Sequence, residues 1–247
     1  MRKTLAILLA ASLFCLTACF NDSGDDPLYT NFYSFGDVSG LDLTGARISI
    51  RNEGIFFNVA EDKTDGAWRK EKRIFLQCDI LRETAANTYD IRLIQTRPVI
   101  EKAVLVKCQS SLDVYGSDTV SFDQDWGLDS ELRTINMACR YTSLQKSTTP
   151  HTLNLVFDDA RSTTDTLFFE LRHQGSGESY ENTDYETTDF QVNGQYLTFD
   201  FSGAIPAGAK GSIIISVEWD WLNSNSYDML ERERQHYQTC GTLKLSQ

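Results

Sequence analysis

The sequence is short of basic residues and of histidine. Its 247 residues include 23 lysines and arginines against 35 aspartates and glutamates, and the formal net charge is −12. Because nucleic-acid binding depends on basic side chains that neutralise phosphates, this balance argues against a nucleic-acid partner. The histidines His151, His173 and His236 lack metal-site spacing, such as two ligands on one helical turn. We therefore predict no metal site and three surface histidines.

Familiar catalytic motifs are also missing. The sequence has no Gly-Lys-Ser/Thr phosphate loop, no Gly-x-Ser-x-Gly nucleophile elbow and no Cys-x-x-Cys pair. A glycosidase needs two carboxylates facing one sugar bond, and 35 acidic residues leave such a pair open. The sequence therefore predicts a protein without cofactor or enzymatic activity, and a glycan hydrolase remains an alternative.

The first residues have the pattern of a cleaved export signal. Arg2 and Lys3 precede an apolar run over 5–16, which is shorter than the roughly 20 residues needed to cross a bilayer. The next tetrad, Leu-Thr-Ala-Cys over 16–19, closely resembles the lipobox of bacterial lipoproteins, in which the cysteine is lipidated and becomes the first mature residue. This pattern predicts a membrane anchor at Cys19, because two or three acyl chains hold a protein stably. An ordinary secretory signal that ends near a cysteine is the alternative.

A flexible acidic tether is predicted over 19–30. Residues 20–27, Phe-Asn-Asp-Ser-Gly-Asp-Asp-Pro, carry too little apolar surface to fold. Short acidic runs behind the lipidated cysteine are similar to the export signals of Bacteroides-type surface lipoproteins. We therefore expect an outer-membrane lipoprotein exposed at the cell surface, with a periplasm-facing protein and a plain linker as the alternatives.

Charge divides the mature chain into two parts. Removal of residues 1–18 leaves 229 residues, enough for one large or two small domains. Residues 61–110 hold ten basic and eight acidic side chains, whereas residues 111–247 hold nine basic and 21 acidic side chains. Turn-forming residues cluster at the changeover, at 115–118. We predict domains over 31–120 and 121–247, with the boundary between about 115 and 125.

Alternation of apolar and polar residues with a period of two dominates both parts. Odd-numbered positions from Ile213 to Trp221 are all apolar, which is typical of a half-buried strand and makes Trp219 and Trp221 core residues. The best helical signal, Tyr227 to Tyr237, could equally be a charged loop. These patterns predict an all-β protein, a small barrel followed by an antiparallel β-sandwich. Further extended segments lie at 46–59, 74–80, 89–94, 104–108, 135–141, 153–157, 167–171 and 197–201.

Four cysteines follow the lipidation site, and an exported location permits disulfides. Cys78 and Cys108 lie on the apolar faces of their predicted strands, so they can form a bridge or remain two buried thiols. Cys139 also points inward, but Cys240 falls on the polar face of its strand. A bridge between Cys139 and Cys240 would therefore need a bulge, for which Gly241 is the candidate.

One segment could bind a ligand. Residues 175–190 interleave carboxylates with tyrosines, among them Tyr180, Asp184, Tyr185 and Asp189. Such side chains suit a calcium ion or a sugar ring. A calcium loop, however, needs six or more oxygens in a set geometry, usually with a glycine at the bend, and the segment does not match one. A solvated connection between strands is the favoured alternative.

Three segments resemble the NigD-like family of Bacteroides-type lipoproteins. They are Lys-Glu-Lys-Arg-Ile-Phe-Leu-Gln-Cys-Asp-Ile-Leu at 70–81, Asn-Thr-Tyr-Asp-Ile-Arg-Leu at 87–93 and Val-Ile-Glu-Lys at 99–102. The resemblance implies an N-terminal OB-type barrel, a C-terminal β-sandwich and a link to bacteriocin immunity. It supplies no catalytic or ligand-binding residues.

The sequence thus favours a non-enzymatic envelope lipoprotein that binds an unknown protein or glycan partner. A carbohydrate-binding accessory lipoprotein of a glycan-uptake system is the second hypothesis, and a glycan hydrolase is the third.

Overall fold

The computed structural model describes residues 26–42, 45–50, 54–107, 112–122, 127–175, 178, 189–223 and 233–245. These residues form fourteen β-strands and three single-turn 3₁₀ helices, at Ala67–Lys70, Asp113–Tyr115 and Ser202–Ala204. No helix in the described ranges has the length and apolar character needed to span a membrane. The strands are β1 Tyr29–Asp42, β2 Gly45–Ile50, β3 Ile55–Asp62, β4 Arg73–Ala85, β5 Thr88–Ala103, β6 Leu105–Val106, β7 Ser121–Phe122, β8 Gly127–Asp129, β9 Thr134–Leu144, β10 Thr152–Asp158, β11 Thr166–Gln174, β12 Phe190–Asp200, β13 Ser212–Asn223 and β14 Glu233–Lys244.

The first five strands pair in a ring. β1 is antiparallel to β2 and β4, β2 to β3, and β4 to β5, while β3 runs parallel to β5. The order β1-β2-β3-β5-β4 is the one expected for an OB-type fold. Alternate residues of these strands fill the interior, which explains the period of two in the sequence. The buried interior side chains are Ile48, Phe57, Trp68, Ile74, Leu76, Cys78, Ile91 and Leu93.

Two sheets form the C-terminal sandwich. β12 and β9, with the short β7 and β8, continue the sheet that starts in the ring, and the second sheet has the order β14-β13-β11-β10-β6. Apolar side chains from both sheets meet in one core, which includes Trp219, with Trp221 packed against it. The all-β fold with a barrel and a sandwich is therefore confirmed.

Three ladders of this half are parallel rather than antiparallel: β5–β12, β6–β10 and β11–β13. The path of the chain explains why β11 and β13 are parallel. After β11 the chain adds β12 to the opposite sheet and then returns to β13, and such a crossover brings strands side by side in the same direction. Residues 233–237 belong to β14, where Tyr237 pairs with Trp219, so the helical interpretation is wrong for that part of 227–237.

Strand β5 belongs to both halves. Residues 88–98 pair within the ring, whereas Val99 to Ala103 pair with β12. The chain thus passes from barrel to sandwich within a strand, ahead of the boundary predicted at about 115–125. The turn at 115–118 packs on the sandwich, since Asn154 Nδ2 donates to the Tyr115 carbonyl at 3.1 Å and Asp118 bridges to His173.

Candidate functional site

A row of aromatic side chains crosses the solvent-facing side of the larger sheet. Strand alternation produces it, because Phe75 lies between Ile74 and Leu76, which are fully buried in the barrel. Phe75 pairs with Phe35 across the β1–β4 ladder, which places both rings on the outer face. We define the aromatic row as Tyr33, Phe35, Phe75 and Tyr196.

The rings of the row hold one another in position. Phe75 and Tyr196 stack with centroids 4.1 Å apart and an interplanar angle of 15°. Phe35 meets Phe75 edge to face at 5.3 Å, and Tyr33 stacks beside Phe75 at 6.2 Å. Each such contact contributes about 0.5–1.5 kcal/mol beyond area burial. The row is therefore pre-organised, although Tyr33 at its end is 55% exposed.

A cleft opens beside the row where β5 and β12 diverge. Their ladder begins at the pair Val99–Tyr196 and continues toward Ala103. Before that point β5 carries Pro98, which has no N–H to donate to a neighbouring strand. The cleft has a volume of about 340 Å³, and a smaller hollow of about 160 Å³ shares Gly194 and Tyr196 with it. The cleft is lined by Arg97, Pro98, Ile100, Gly194, Gln195 and Tyr196.

Arginine side chains flank this region. Arg97 lines the cleft and Arg140 lines the smaller hollow, and both are exposed. Across the described part of the chain, the Arg97 guanidinium has no ion pair or hydrogen bond. Other arginines do have carboxylate partners, namely Arg69, Arg73, Arg82, Arg92, Arg161, Arg172 and Arg234. Arg97 is thus a local positive charge in a protein of net charge −12.

The aromatic row was not predicted from the sequence. The sequence does contain a signal for part of the row, because an aromatic residue between Ile74 and Leu76 must lie on the face of the strand opposite the core. Tyr196, however, is about 120 residues away in sequence, and only the β5–β12 pairing brings it to Phe75.

The ligand segment predicted at 175–190 lies mostly outside the described residues, including Tyr180, Asp184 and Tyr185. Asp189 is exposed, and its carbonyl accepts a hydrogen bond from the Gln145 amide at 2.8 Å. The binding role of this segment stays a prediction.

Two of the three histidines are buried, which corrects the expectation of surface positions. His173 on β11 is 1% exposed, and the His151 side chain is 7% exposed. The two rings stack, with His151 Nδ1 2.9 Å from His173 Nε2, and Tyr141 packs against both. Burial lowers the pKa of His173 to about 4. His236 is exposed as predicted and contacts Asp220 at 2.9 Å.

An acidic side chain lies beside this histidine pair. Glu178 Oε2 lies 3.5 Å from His151 Nε2, and Ser147 Oγ donates to Glu178 Oε1 at 2.5 Å. Burial raises the pKa of Glu178, but hydrogen bonds, first among them the one from Ser147, outweigh this effect and lower the pKa overall. The parts of the chain that the structure describes contain no group of three side chains able to hold a metal ion.

No disulfide bond joins the cysteines in the described ranges, which are Cys78, Cys139 and Cys240. Cys139 faces the sandwich core, whereas Cys240 is exposed on β14 of the other sheet, so the Cys139–Cys240 bridge is wrong. Cys78 is fully buried in the barrel as a free thiol, which is one of the two alternatives left open for it, and its predicted partner Cys108 lies outside the described residues. Burial raises the pKa of Cys78 to about 12, which makes its thiol unreactive.

Comparison with known proteins gives a fold but no sequence family. No protein-family model matches the sequence, and no curated protein is significantly similar to it. The fold is similar to that of a NigD-like immunity protein from Bacteroides caccae, with a TM-score of 0.55 and 14% identity over 88% of this chain and 94% of that chain.

Two further structures share the fold. A protein described as a lipoprotein, from Bacteroides fragilis, has a TM-score of 0.50 and 14% identity over 85% of this chain and 97% of that one. A protein described as toxin-related, from Parabacteroides distasonis, has a TM-score of 0.52 and 16% identity over 85% of this chain and 92% of that one. The chain thus has the fold of a NigD-like protein, which confirms the resemblance at the level of the fold.

Proposed function

We propose that this protein is a non-enzymatic lipoprotein of the bacterial envelope, anchored through Cys19, that binds a partner with its aromatic row. The leader pattern supports the anchor, and a protein of the same fold is described as a lipoprotein. Another is described as an immunity protein, so a bacteriocin-type toxin is one partner to test.

The observation that carries the binding role is the position of the aromatic row on the outer face of the sheet beside Arg97, with Tyr33 exposed and the other three rings half-buried. Rows of aromatic rings are normally buried in a core, because each ring removes a large apolar area from water. Tyrosine, phenylalanine and arginine are enriched where proteins meet their partners, and contiguous exposed apolar surface marks interaction sites. The flanking residues Val192 and Ile100, 66% and 43% exposed, extend this apolar surface.

Replacement of Cys19 by alanine is expected to move the protein from the membrane fraction to the soluble fraction, because the acyl chains provide the anchor. Incorporation of labelled palmitate, followed by fractionation, measures this. The Cys15→Ala variant is the matched control and should keep both label and membrane association. Membrane retention of the Cys19→Ala variant would contradict the anchor, and protease shaving of intact cells would test surface exposure.

Replacement of Tyr33 by serine is expected to weaken partner binding about tenfold, because Tyr33 is the exposed ring of the row and aromatic side chains carry a large share of the binding energy at interfaces. Tyr29 is the matched control, since it lies on the same strand with 52% exposure but outside the row. Affinities of the wild type, Tyr33→Ser and Tyr29→Ser for a panel of glycans and purified bacteriocins measure the effect. Equal affinities for every ligand bound would exclude the row as the binding surface, and turnover of any panel glycan would contradict the non-enzymatic role.

A further inference from the structure

We infer that the cleft between β5 and β12 binds an anionic glycan, one whose sugar rings carry carboxylate or sulfate groups. This inference rests on the proposed binding function and names the ligand class of the site. The observations that carry it are a strand glycine that the fold does not need, an arginine that has no partner among the described residues, and the size of the cleft.

Gly194 has no structural reason to be glycine. Its backbone does not lie in the left-handed region, and an added Cβ would meet only the Cys139 carbonyl oxygen, at 3.8 Å. Glycine within a strand weakens the strand and often marks a place where a ligand approaches the backbone closely. Because Gly194 lines both hollows, a side chain there would take up space that is now open.

The polar groups of the cleft favour an anion on a hydroxyl-rich ligand. The Arg97 guanidinium and the Tyr196 hydroxyl have no hydrogen-bond partner within the described ranges. A guanidinium presents parallel N–H donors that match a carboxylate or sulfate group. The amide of Gln195 is already engaged, since its Nε2 donates to the Tyr141 hydroxyl at 3.1 Å. Arg97 is therefore the charged group that selects the ligand, and Tyr196 adds a hydroxyl and an apolar ring.

The size of the cleft favours a glycan over a protein surface. Its volume of about 340 Å³ lies at the lower end of the range for small-ligand sites, about 300–1,000 Å³. Partner proteins instead bury about 800 Å² on each side of a stable interface. The cleft has room for a sugar ring with its anionic group, and the adjoining hollow of about 160 Å³ offers space for part of the next ring.

Isothermal titration of the mature, detergent-solubilised lipoprotein tests the inference. The probes are a trigalacturonate, which carries carboxylates, a chondroitin sulfate tetrasaccharide, which carries both groups, and a neutral galactan oligomer. We expect binding of at least one anionic probe with a Kd below about 1 mM, weakening with added salt, and no binding of the neutral probe. Binding of the trigalacturonate would show that a carboxylate suffices, whereas binding of the chondroitin sulfate alone would indicate that the sulfate is needed.

Variants show whether these residues are needed for ligand binding or for folding. Gly194→Thr should lower the affinity at least about tenfold while the midpoint of thermal unfolding stays unchanged or rises, because threonine suits a strand better than glycine. Arg97→Gln should also lower the affinity about tenfold. Arg47→Gln is the matched control, an exposed arginine over the Phe56 ring but outside the cleft.

Three results would overturn the inference: no binding of either anionic probe, equal binding of the neutral probe, or wild-type affinity of Gly194→Thr. If a bacteriocin or another protein binds instead and Tyr33→Ser weakens it, the proposed function stands and the glycan inference fails. If neither proteins nor glycans bind, both fail.

Discussion

Replacement of Gly116 by alanine is expected to destabilise the protein by about 3–5 kcal/mol. Gly116 has φ 110° and ψ 148°, a conformation that is open essentially only to glycine. A Cβ on this residue would lie 2.2 Å from the His173 carbonyl oxygen and 2.6 Å from the Gln174 nitrogen. These are backbone atoms of β11, so the clash can be relieved only by moving the turn away from the strand.

The loss of stability should include the loss of the hydrogen bonds that hold this turn against β11. Arg172 Nε donates to the Gly116 carbonyl at 2.8 Å, and the Asp118 amide donates to the His173 carbonyl at 3.0 Å. Urea unfolding followed by tryptophan fluorescence measures the change. Gly203→Ala is the control, because its Cβ would meet nothing within 4 Å, and its stability should stay within about 0.5 kcal/mol of the wild type. A wild-type midpoint for Gly116→Ala would contradict the close packing of the turn.

Acidification is expected to cost the protein about 3 kcal/mol of stability between pH 6.5 and pH 4 through His173 alone. Burial lowers the pKa of His173 from 6.5 to about 4, while the hydrogen bond to the Thr119 carbonyl and the nearby Asp118 raise it in part, and His151 lowers it further. The unfolded chain therefore binds a proton at a higher pH than the folded chain. The free energy of unfolding that His173 contributes is complete above pH 6.5 and falls by about 2 kcal/mol by pH 5. Below about pH 4 it changes little further.

Urea titrations at pH 7.5, 6 and 5 measure this dependence, and an NMR titration of the imidazole gives the pKa of His173 directly. The His173→Gln variant should be less stable at pH 7.5, because the contacts to Thr119 and His151 are lost, but it should lose about 2 kcal/mol less between pH 7.5 and 5. An NMR pKa of His173 near 6.5 would contradict the proposed cause.

Local alternation predicted most of the strands because it depends only on neighbouring residues. Odd positions from Ile213 to Trp221 were assigned to one face, and Ile213, Ile215 and Val217 are indeed buried in the sandwich. The same logic placed Cys240 on the polar side of its strand, where it is exposed. The partners of each strand were not predictable, since pairing of β3 with β5 or of β5 with β12 joins distant segments.

The histidines illustrate the same limit. His173 lies at an alternate position to Leu171 on β11 and therefore shares its inward face, a signal that was available in the sequence. Its meeting with His151 follows from the β10–β11 register, in which Leu153 pairs with His173. Tyr141 comes from the opposite sheet, so its contact with both rings depends on sheet packing.

By itself, the sequence determined the leader pattern with Cys19, the acidic balance and the β-periodicity, because each of these is a property of residues close together in the chain. Only the tertiary structure decided which outward-facing side chains become neighbours. Tyr33, Phe75 and Tyr196 meet because three pairings align β1, β4, β5 and β12 in one sheet, and Arg97 borders a cleft because two of those strands diverge at Gly194. Strand register over long sequence separations is set by the packing of whole sheets, which no local pattern encodes.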